Sequence, residues 1–202
     1  PEALVLLKTF GSKTWNSQLK LFLSHRETLA YQYAMPRKLE QISVRMKNGK
    51  TISLISGKHN ALIKKIVEEF GRRFVPYGVL VYVGDTGKKW GFFDDKLLSE
   101  LGVTVNSHGK MPDVILYCPK RKWLILVEAV TCRGPVDGKR YAELARLFTG
   151  SKVGIVYVTA FPDRSIMGRF LGEIAWKTEA WVADAPTHLI HFNGSRFLGP
   201  YN

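Results

Sequence analysis

The feature that most constrains the fold lies between Lys110 and Arg140, where two apolar runs with strand character follow each other closely. The runs cover residues 114–117 and 123–130, and a short basic turn at residues 119–122 joins them. Two apolar runs separated by a proline-containing turn are typical of a β-hairpin. We therefore expect two adjacent antiparallel strands at the centre of the fold.

Each strand of this hairpin carries one carboxylate where an apolar residue would be expected. Asp113 opens the first strand, and Glu128 lies inside the second. A lone carboxylate is costly to bury unless it is paired or bound to a metal, so two on adjacent strands predict a shared partner. The simplest partner is Mg²⁺, with the carbonyl oxygen of Ala129 as a further ligand. The alternative is a hairpin whose carboxylates pair with Lys110 or Arg133.

Charge favours a polyanionic partner, of which nucleic acid is the commonest. The chain has 30 Lys and Arg against 17 Asp and Glu, which gives a net charge of +13 and a pI near 9.8. The alternative is a merely basic soluble protein. With 202 residues, of which 46% are hydrophobic, the chain can bury one sizeable core.

Several classes of protein are disfavoured by what the sequence lacks. Cys118 and Cys132 have no CxxC spacing, which argues against a disulfide framework or a structural zinc site and favours a reducing, cytoplasmic location. No apolar run approaches the roughly 20 residues of a membrane span, and the start of the chain has no signal-peptide layout. Because the chain begins at Pro1 rather than Met, we expect a further domain before it.

Periodicity predicts an α/β fold with a mixed central sheet flanked by helices. Residues 1–40 are predicted to be helical, and the Asn48-Gly49 pair predicts a hairpin between strands 42–46 and 51–55. The glycine-rich segment 84–91 is expected to have an irregular backbone, with a short helix within residues 92–101. The remaining predicted elements are helix 57–74, strand 79–83, helix 139–148, strand 153–159, helix 164–174, and strands 179–182 and 189–192.

The central hairpin resembles the PD-(D/E)XK nucleases, in which Pro-Asp starts one strand and an acidic-x-Lys tripeptide lies on the next. The matching residues are Pro112-Asp113 and Glu128-Ala129-Val130. Val130 stands where that superfamily usually has its water-orienting lysine. The resemblance implies that a lysine from elsewhere takes this role, and Lys139 is our first candidate. The other candidates are Lys88, Lys89 and Lys110. An acidic residue of the preceding helix, Glu68 or Glu69, would join the metal shell unless that pair is simply a solvated helix face.

A longer resemblance points to the BsuBI/PstI family of Type II restriction endonucleases. It is carried by the runs GDTGKKWG from Gly84, GKMPDVILY from Gly109, WLILVEAVT from Trp123, GPVDGKR from Gly134 and YVTAFPDR from Tyr157, and by the ending from Trp181 to Gly194. The resemblance implies a nuclease catalytic domain over residues 57–202. It also implies that residues 1–56, a helical segment and a hairpin, are the end of, or the linker from, an N-terminal DNA-associated domain.

The resemblance also implies an activity: Mg²⁺-dependent cleavage of both strands of double-stranded DNA at a short palindrome, CTGCAG for the namesake enzymes. A palindrome is matched most simply by a homodimer with one active site per strand. The implied setting is the bacterial cytoplasm, where a cognate methyltransferase acts on the same site without needing to bind this protein.

Residues near the end of the second strand are the first candidates for contacts with DNA. Thr131 and Arg133 lead, because they come directly after the strand that carries Glu128. The other candidates are Lys88, Lys89, Lys110 and Arg140; sequence does not tell which of these reach a base and which bind phosphate.

Two other functions stay open on the sequence. Val130 is compatible with a catalytically silent DNA-binding module that keeps a nuclease fold. The basic composition is equally compatible with a repair nuclease that recognises DNA structure rather than sequence.

Overall fold

The computed structural model describes residues 7–24, 41–46, 49–86, 88–105, 111–131 and 134–192. The chain divides into two compact units, Pro1–Leu39 and Glu40–Asn202. In the first unit, helix α1 spans Trp15–Ser24, as the sequence predicts for this part of the chain. Within the described residues, no helix is long and apolar enough to cross a membrane.

A seven-stranded mixed sheet forms the centre of the second unit. Its strand order is β4-β3-β5-β6-β7-β8-β9, and a separate two-stranded sheet pairs β1 with β2. The strands are β1 Gln41–Arg45, β2 Thr51–Ile55, β3 Val79–Asp85, β4 Lys88–Phe93, β5 Val114–Cys118, β6 Trp123–Ala129, β7 Gly154–Phe161, β8 Thr178–Val182 and β9 Leu189–Phe192.

Helices cover both faces of the sheet. Between β2 and β3 the chain forms one continuous run of helix: α2 (Lys58–Lys65), a π-helical segment (Ile66–Phe70) and α3 (Gly71–Phe74). The others are α4 Asp95–Glu100, α5 Gly138–Leu147 and α6 Arg164–Phe170. The predicted α/β class with a mixed sheet flanked by helices is confirmed.

The central hairpin forms as predicted. β5 and β6 are antiparallel, and their register runs from Cys118 opposite Trp123 to Val114 opposite Val127. β7 then lies parallel to β6, and α5 connects the two strands in the chain. This crossover places the first turn of α5 at the end of β6, where Glu128 lies.

Two hydrophobic layers explain why β6 is apolar on both faces. Side chains alternate between the faces of a strand. Val127 therefore packs with Phe70 and Trp181 in one layer, and Leu126 packs with Leu144 of α5 in the other. A strand buried on both faces reads as a continuous apolar run, and a carboxylate within it stands out.

The sequence prediction was wrong in one stretch. Residues 88–91 are not irregular: they belong to β4, which pairs antiparallel with β3. Position 91 of this strand requires glycine, because a Cβ there would come within 2.3 Å of the buried Leu54 side chain of β2. The glycine therefore marks a close approach between two sheets rather than a loop.

The first hairpin and the later elements agree with the prediction to within a few residues. Gly49 has a left-handed backbone with φ of +81° and donates to the Met46 carbonyl, as the Asn-Gly signal predicts. α6 ends at Phe170, four residues before the predicted end.

Candidate active site

The two predicted carboxylates lie side by side at one end of the central hairpin. Val114 pairs with Val127, and continuing this register by one residue places Asp113 opposite Glu128. Opposed residues of an antiparallel pair share one face of the sheet. The strand pairing therefore brings together the two acidic groups that the sequence singled out.

Asp113 is fixed to the strands on both sides of it. Its carbonyl accepts a 2.8 Å hydrogen bond from the amide of Gly84 on β3. Its Oδ2 accepts a 2.7 Å bond from the amide of Ala129 on β6. These bonds hold the backbone and the carboxylate of Asp113 at once.

An open cavity of about 800 Å³ lies over this pair. It is lined by His59, Tyr82, Gly84, Asp85, Thr86, Met111, Asp113, Glu128, Ala129, Thr131, Gly134, Pro135, Asp137, Lys139, Arg140 and Glu143. Among the lining residues that the structure describes, five are acidic and two are lysine or arginine. In a protein with a net charge of +13, this local excess of acid is suited to binding a cation.

The surroundings of Glu128 disfavour its ionised form. Burial, and then the neighbouring charge of Asp113, raise its pKa from 4.5 to about 7, although Arg140 acts in the opposite direction. Its side chain is 16% exposed. A carboxylate that is both desolvated and next to a like charge is stabilised in its ionised form by an added cation.

Arg140 of α5 is the ion-pair partner of Glu128. Its Nε and Nη2 donate to Glu128 Oε1 at 2.9 and 2.6 Å. Nη2 also donates to the carbonyl of Met111 at 3.1 Å, and Nη1 lies 3.4 Å from Glu143 Oε2. Asp137 is the N-cap of α5, the helix that carries Arg140, and its side chain accepts a hydrogen bond from the amide of Arg140.

His59 of α2 is a site residue that sequence reasoning missed. Its Nε2 lies 3.2 Å from Asp113 Oδ1, and each side chain is 26% exposed. The two atoms are within hydrogen-bond distance, and the tautomer of the imidazole decides which of them donates. The two residues are 54 positions apart in the chain, and no local pattern links them.

Asn60, the next residue of α2, holds another part of the cavity wall. It is fully buried, and its Nδ2 donates to the Ile55 carbonyl at 2.8 Å and to Asp85 Oδ1 at 2.7 Å. Consecutive residues of one helical turn thus bind Asp113 on β5 and Asp85 on β3.

The position of the superfamily lysine is buried in apolar surroundings. Val130 is 1% exposed and packs with Phe161, Ala180 and Val182. A lysine side chain here would place its charge in a hydrophobic cluster. Lys139, our predicted replacement, is exposed at the start of α5 and lines the cavity.

The structure places some of the other predicted residues and not others. Thr131 lines the cavity. Glu68 is outside the cavity lining, and its Oε1 accepts a 2.7 Å bond from the amide of Arg45, which gives it a structural role on β1. Lys88 and Lys89 lie on β4, but their side chains are outside what the structure describes, as are Lys110 and Arg133 altogether.

The donor set fits a hard cation that keeps much of its water. Two carboxylates, Asp113 and Glu128, lie together, and Ala129 also lines the cavity. Within the described part of the chain, no three His, Cys, Asp or Glu side chains form a metal-binding group. Carboxylate and carbonyl oxygens are the donors that suit a hard divalent cation.

A mixed sheet with two carboxylates at the end of its central hairpin defines the restriction-endonuclease class of fold. The solved structure of the SdaI restriction endonuclease shares this fold, with a TM-score of 0.75 and 43% sequence identity, over 99% of this chain and 63% of that one. Residues 42–195 match the family described as the BsuBI/PstI restriction endonuclease domain. The chain therefore belongs to this family.

Two curated relatives are Type II restriction enzymes. The chain is 57% identical over 200 residues to BsuBI of Bacillus subtilis, covering 99% of this chain and 63% of that enzyme. It is 33% identical over 205 residues to AplI of Arthrospira platensis, covering 98% of this chain and 63% of that enzyme. The chain thus spans 63% of the length of the relatives it matches.

Proposed function

We propose that this protein is a Type II site-specific deoxyribonuclease that hydrolyses both strands of double-stranded DNA at a short palindrome. The observation that carries the proposal is the Asp113–Glu128 pair under the cavity, in a chain that belongs to a family of restriction endonucleases. The proposed palindrome is CTGCAG, which rests on the family resemblance alone. A homodimer, with one site for each strand, is the arrangement that such a palindrome favours.

Mg²⁺ is the proposed cofactor, and Asp113, Glu128 and the Ala129 carbonyl are the proposed ligands. The amide of Ala129 faces Asp113, and in a strand the amide and carbonyl of one residue point to the same side. The Ala129 carbonyl is therefore directed toward the same carboxylate. A bound cation would stabilise charge on the phosphate and lower the pKa of an attacking water.

The protein's own residues would supply the rest of the chemistry. Asp113 is held by Gly84 and Ala129, so its carboxylate is oriented before substrate arrives. Lys139 is the proposed group that orients the attacking water, because it lines the cavity and the strand position of the usual lysine is buried. Its ammonium group can donate to water or to the phosphate.

Contacts with DNA are proposed for the basic and polar residues that the sequence singles out. Thr131 lines the cavity at the end of β6, and Lys88 and Lys89 lie on β4. Lys110 and Arg133 stay predictions from sequence. We also place the protein in the bacterial cytoplasm, as the resemblance implies, with a methyltransferase acting on the same DNA site.

The test is digestion of a plasmid that contains one CTGCAG site, with Mg²⁺ and with EDTA, by the wild-type protein and by Asp113→Asn. The asparagine variant keeps an acceptor for the Ala129 amide, so it should fold. We expect one linear product that requires Mg²⁺ and is reduced at least about 10³-fold in the variant, since the metal contributes several kcal/mol and each factor of ten is about 1.4 kcal/mol.

Other outcomes would assign a different function. DNA binding without Mg²⁺-dependent cleavage would favour the silent module. Cleavage that follows branches or flaps rather than sequence would favour a structure-specific nuclease. Cleavage at discrete sites other than CTGCAG would retain the enzyme class and change only its specificity.

A further inference from the structure

The guanidinium of Arg140 contacts three other residues of the site. Nε and Nη2 both donate to one oxygen, Glu128 Oε1, at 2.9 and 2.6 Å. Nη2 also reaches the Met111 carbonyl at 3.1 Å, and Nη1 lies 3.4 Å from Glu143. A guanidinium with this set of partners is poorly placed to reach a DNA base as well.

The contact with Glu128 is partly desolvated. The side chains of Arg140 and Glu128 are 17% and 16% exposed. Charge-assisted hydrogen bonds are stronger when water is partly excluded, and removing one partner then leaves the other charge uncompensated. Arg140 is therefore a permanent positive charge next to one of the two proposed metal ligands.

The two hydrogen bonds from Arg140 converge on one oxygen of Glu128. Nε and Nη2 both donate to Oε1, and neither of these bonds uses the second carboxylate oxygen. A metal ion on Oε1 would lie at short range from a fixed positive charge, which is unfavourable between side chains that are largely shielded from water. The second oxygen has no such conflict.

We propose that Arg140 is a positioning residue that acts as a built-in cation: it fixes Glu128 through Oε1 and limits the site to one bound divalent cation. Sites that use two cations place them about 3.5–4 Å apart, and the Arg140 guanidinium already binds Glu128 Oε1, which makes this oxygen less available to a second cation. This inference rests on the proposed nuclease function. It gives Arg140 a role other than the DNA contact expected from sequence.

Arg140 also binds the backbone just before the other carboxylate, Asp113. Met111 lies two residues before Asp113, and its carbonyl is bound by the same nitrogen that binds Glu128. One side chain of α5 therefore connects the start of β5 to the end of β6. Loss of Arg140 should disturb the relative position of the two carboxylates as well as the charge between them.

The test is the number of Mn²⁺ ions bound per chain, measured by isothermal titration calorimetry on the complete protein without DNA. Wild-type protein should bind one ion in the site, and Arg140→Gln should bind two, because the fixed charge is gone. Arg140→Lys keeps the charge and should bind one. Arg146→Gln is the matched control: Arg146 is exposed on the same helix and is not among the residues that line the cavity.

A kinetic measurement separates positioning from a DNA contact. With Mg²⁺, Arg140→Gln should lower kcat about 10- to 100-fold, the range for residues that orient metal ligands, and leave the KM for DNA near the wild-type value. Arg140→Lys should also lower kcat, because an ammonium group cannot donate two parallel bonds in a fixed plane. Thermal melting shows whether each variant is folded. If Arg140→Gln is unfolded, the kinetic comparison is made with Arg140→Lys alone.

Two results would overturn the inference: two Mn²⁺ ions in the wild-type site, or an Arg140→Gln variant that binds one ion and cleaves at the wild-type rate. A loss confined to the KM for DNA would also overturn it and return Arg140 to the DNA contacts. If the wild-type protein cleaves no DNA but binds one ion, and Arg140→Gln binds two, the nuclease proposal fails while the role of Arg140 stands.

Discussion

The amide of Ala129 donates a 2.7 Å hydrogen bond to Asp113 Oδ2, which ties the end of β6 to the start of β5. The bond uses the backbone of one proposed ligand to orient the side chain of another. Because the donor is a main-chain group, substitution of Ala129 by any residue other than proline keeps this donor. The orientation of Asp113 is thus fixed by the strand pairing itself.

Lys139→Met tests the residue proposed to orient water. Lys139 is exposed and lines the cavity, so the variant should fold normally and lose only its chemistry. We expect kcat to fall about 10²- to 10³-fold, within the range for a positioned proton-transfer group. Single-turnover cleavage under Mg²⁺ measures this directly.

Lys96→Met is the control for Lys139→Met, because Lys96 is an exposed lysine on α4 and is not among the cavity-lining residues. It should cleave like the wild type. If Lys139→Met also cleaves at the wild-type rate, Lys139 is not the water-orienting group, and Lys88 and Lys89 become the variants to make next.

Glu128→Gln should stabilise the protein in the absence of metal at pH 8. The pKa of Glu128 is raised from 4.5 to about 7 by burial and by Asp113. The neutral form is thus favoured in the folded state, and its contribution to stability is complete below pH 4.5 and is lost as the pH rises through about 7. The difference corresponds to at most about 3 kcal/mol.

Thermal melting in EDTA between pH 5 and pH 8 tests this expectation. The wild type should lose stability across that range relative to Glu128→Gln, and the variant should have the higher Tm at pH 8. Addition of Mg²⁺ should raise the Tm of the wild type and leave the variant nearly unchanged. A variant that melts below the wild type at pH 8 would show that the Arg140 ion pair outweighs the burial of the charge.

Val130→Lys tests why the usual lysine is missing from β6. Val130 is 1% exposed among apolar neighbours, so an ammonium group there would be shielded from water. We expect the free energy of unfolding to fall by about 3 kcal/mol or more, with no gain in cleavage. Urea denaturation measures the loss.

Val130→Ile is the matched control for Val130→Lys, because it changes size without adding charge. It should cost less than about 1.5 kcal/mol. A lysine variant that is as stable as the wild type and cleaves faster would mean that the strand can present a lysine to the cavity.

The sequence predicts the frame of the site better than its surroundings. Asp113 and Glu128 stand out because a carboxylate in an apolar strand is locally improbable, and the hairpin that joins them is a short-range feature. His59 and Arg140 reach these carboxylates across 54 and 12 positions. Their identities are visible in the sequence, but their partners are decided by how helices pack on the sheet.

The misread segment has a related cause. The glycine-rich run that contains Gly91 predicts an irregular backbone, whereas Gly91 lies in β4 and packs closely against Leu54. A glycine reports that space is short or that a turn is present, and the chain alone does not distinguish the two. Here the cause is the packing of β2, which lies nearly 40 residues earlier in the chain, against β4. Periodicity does not reveal such a contact.

The first turn of α2 touches two strands through neighbouring residues, His59 on Asp113 and Asn60 on Asp85, while Asn60 also binds the last residue of β2. The site therefore depends on residues from Ile55 to Glu143, and no short segment of the chain contains all of it. A peptide of residues 111–140, or a graft of that hairpin and helix start onto another scaffold, would carry the motif without the groups that orient it. Moving this site to another scaffold would mean transferring every element from β2 to α5.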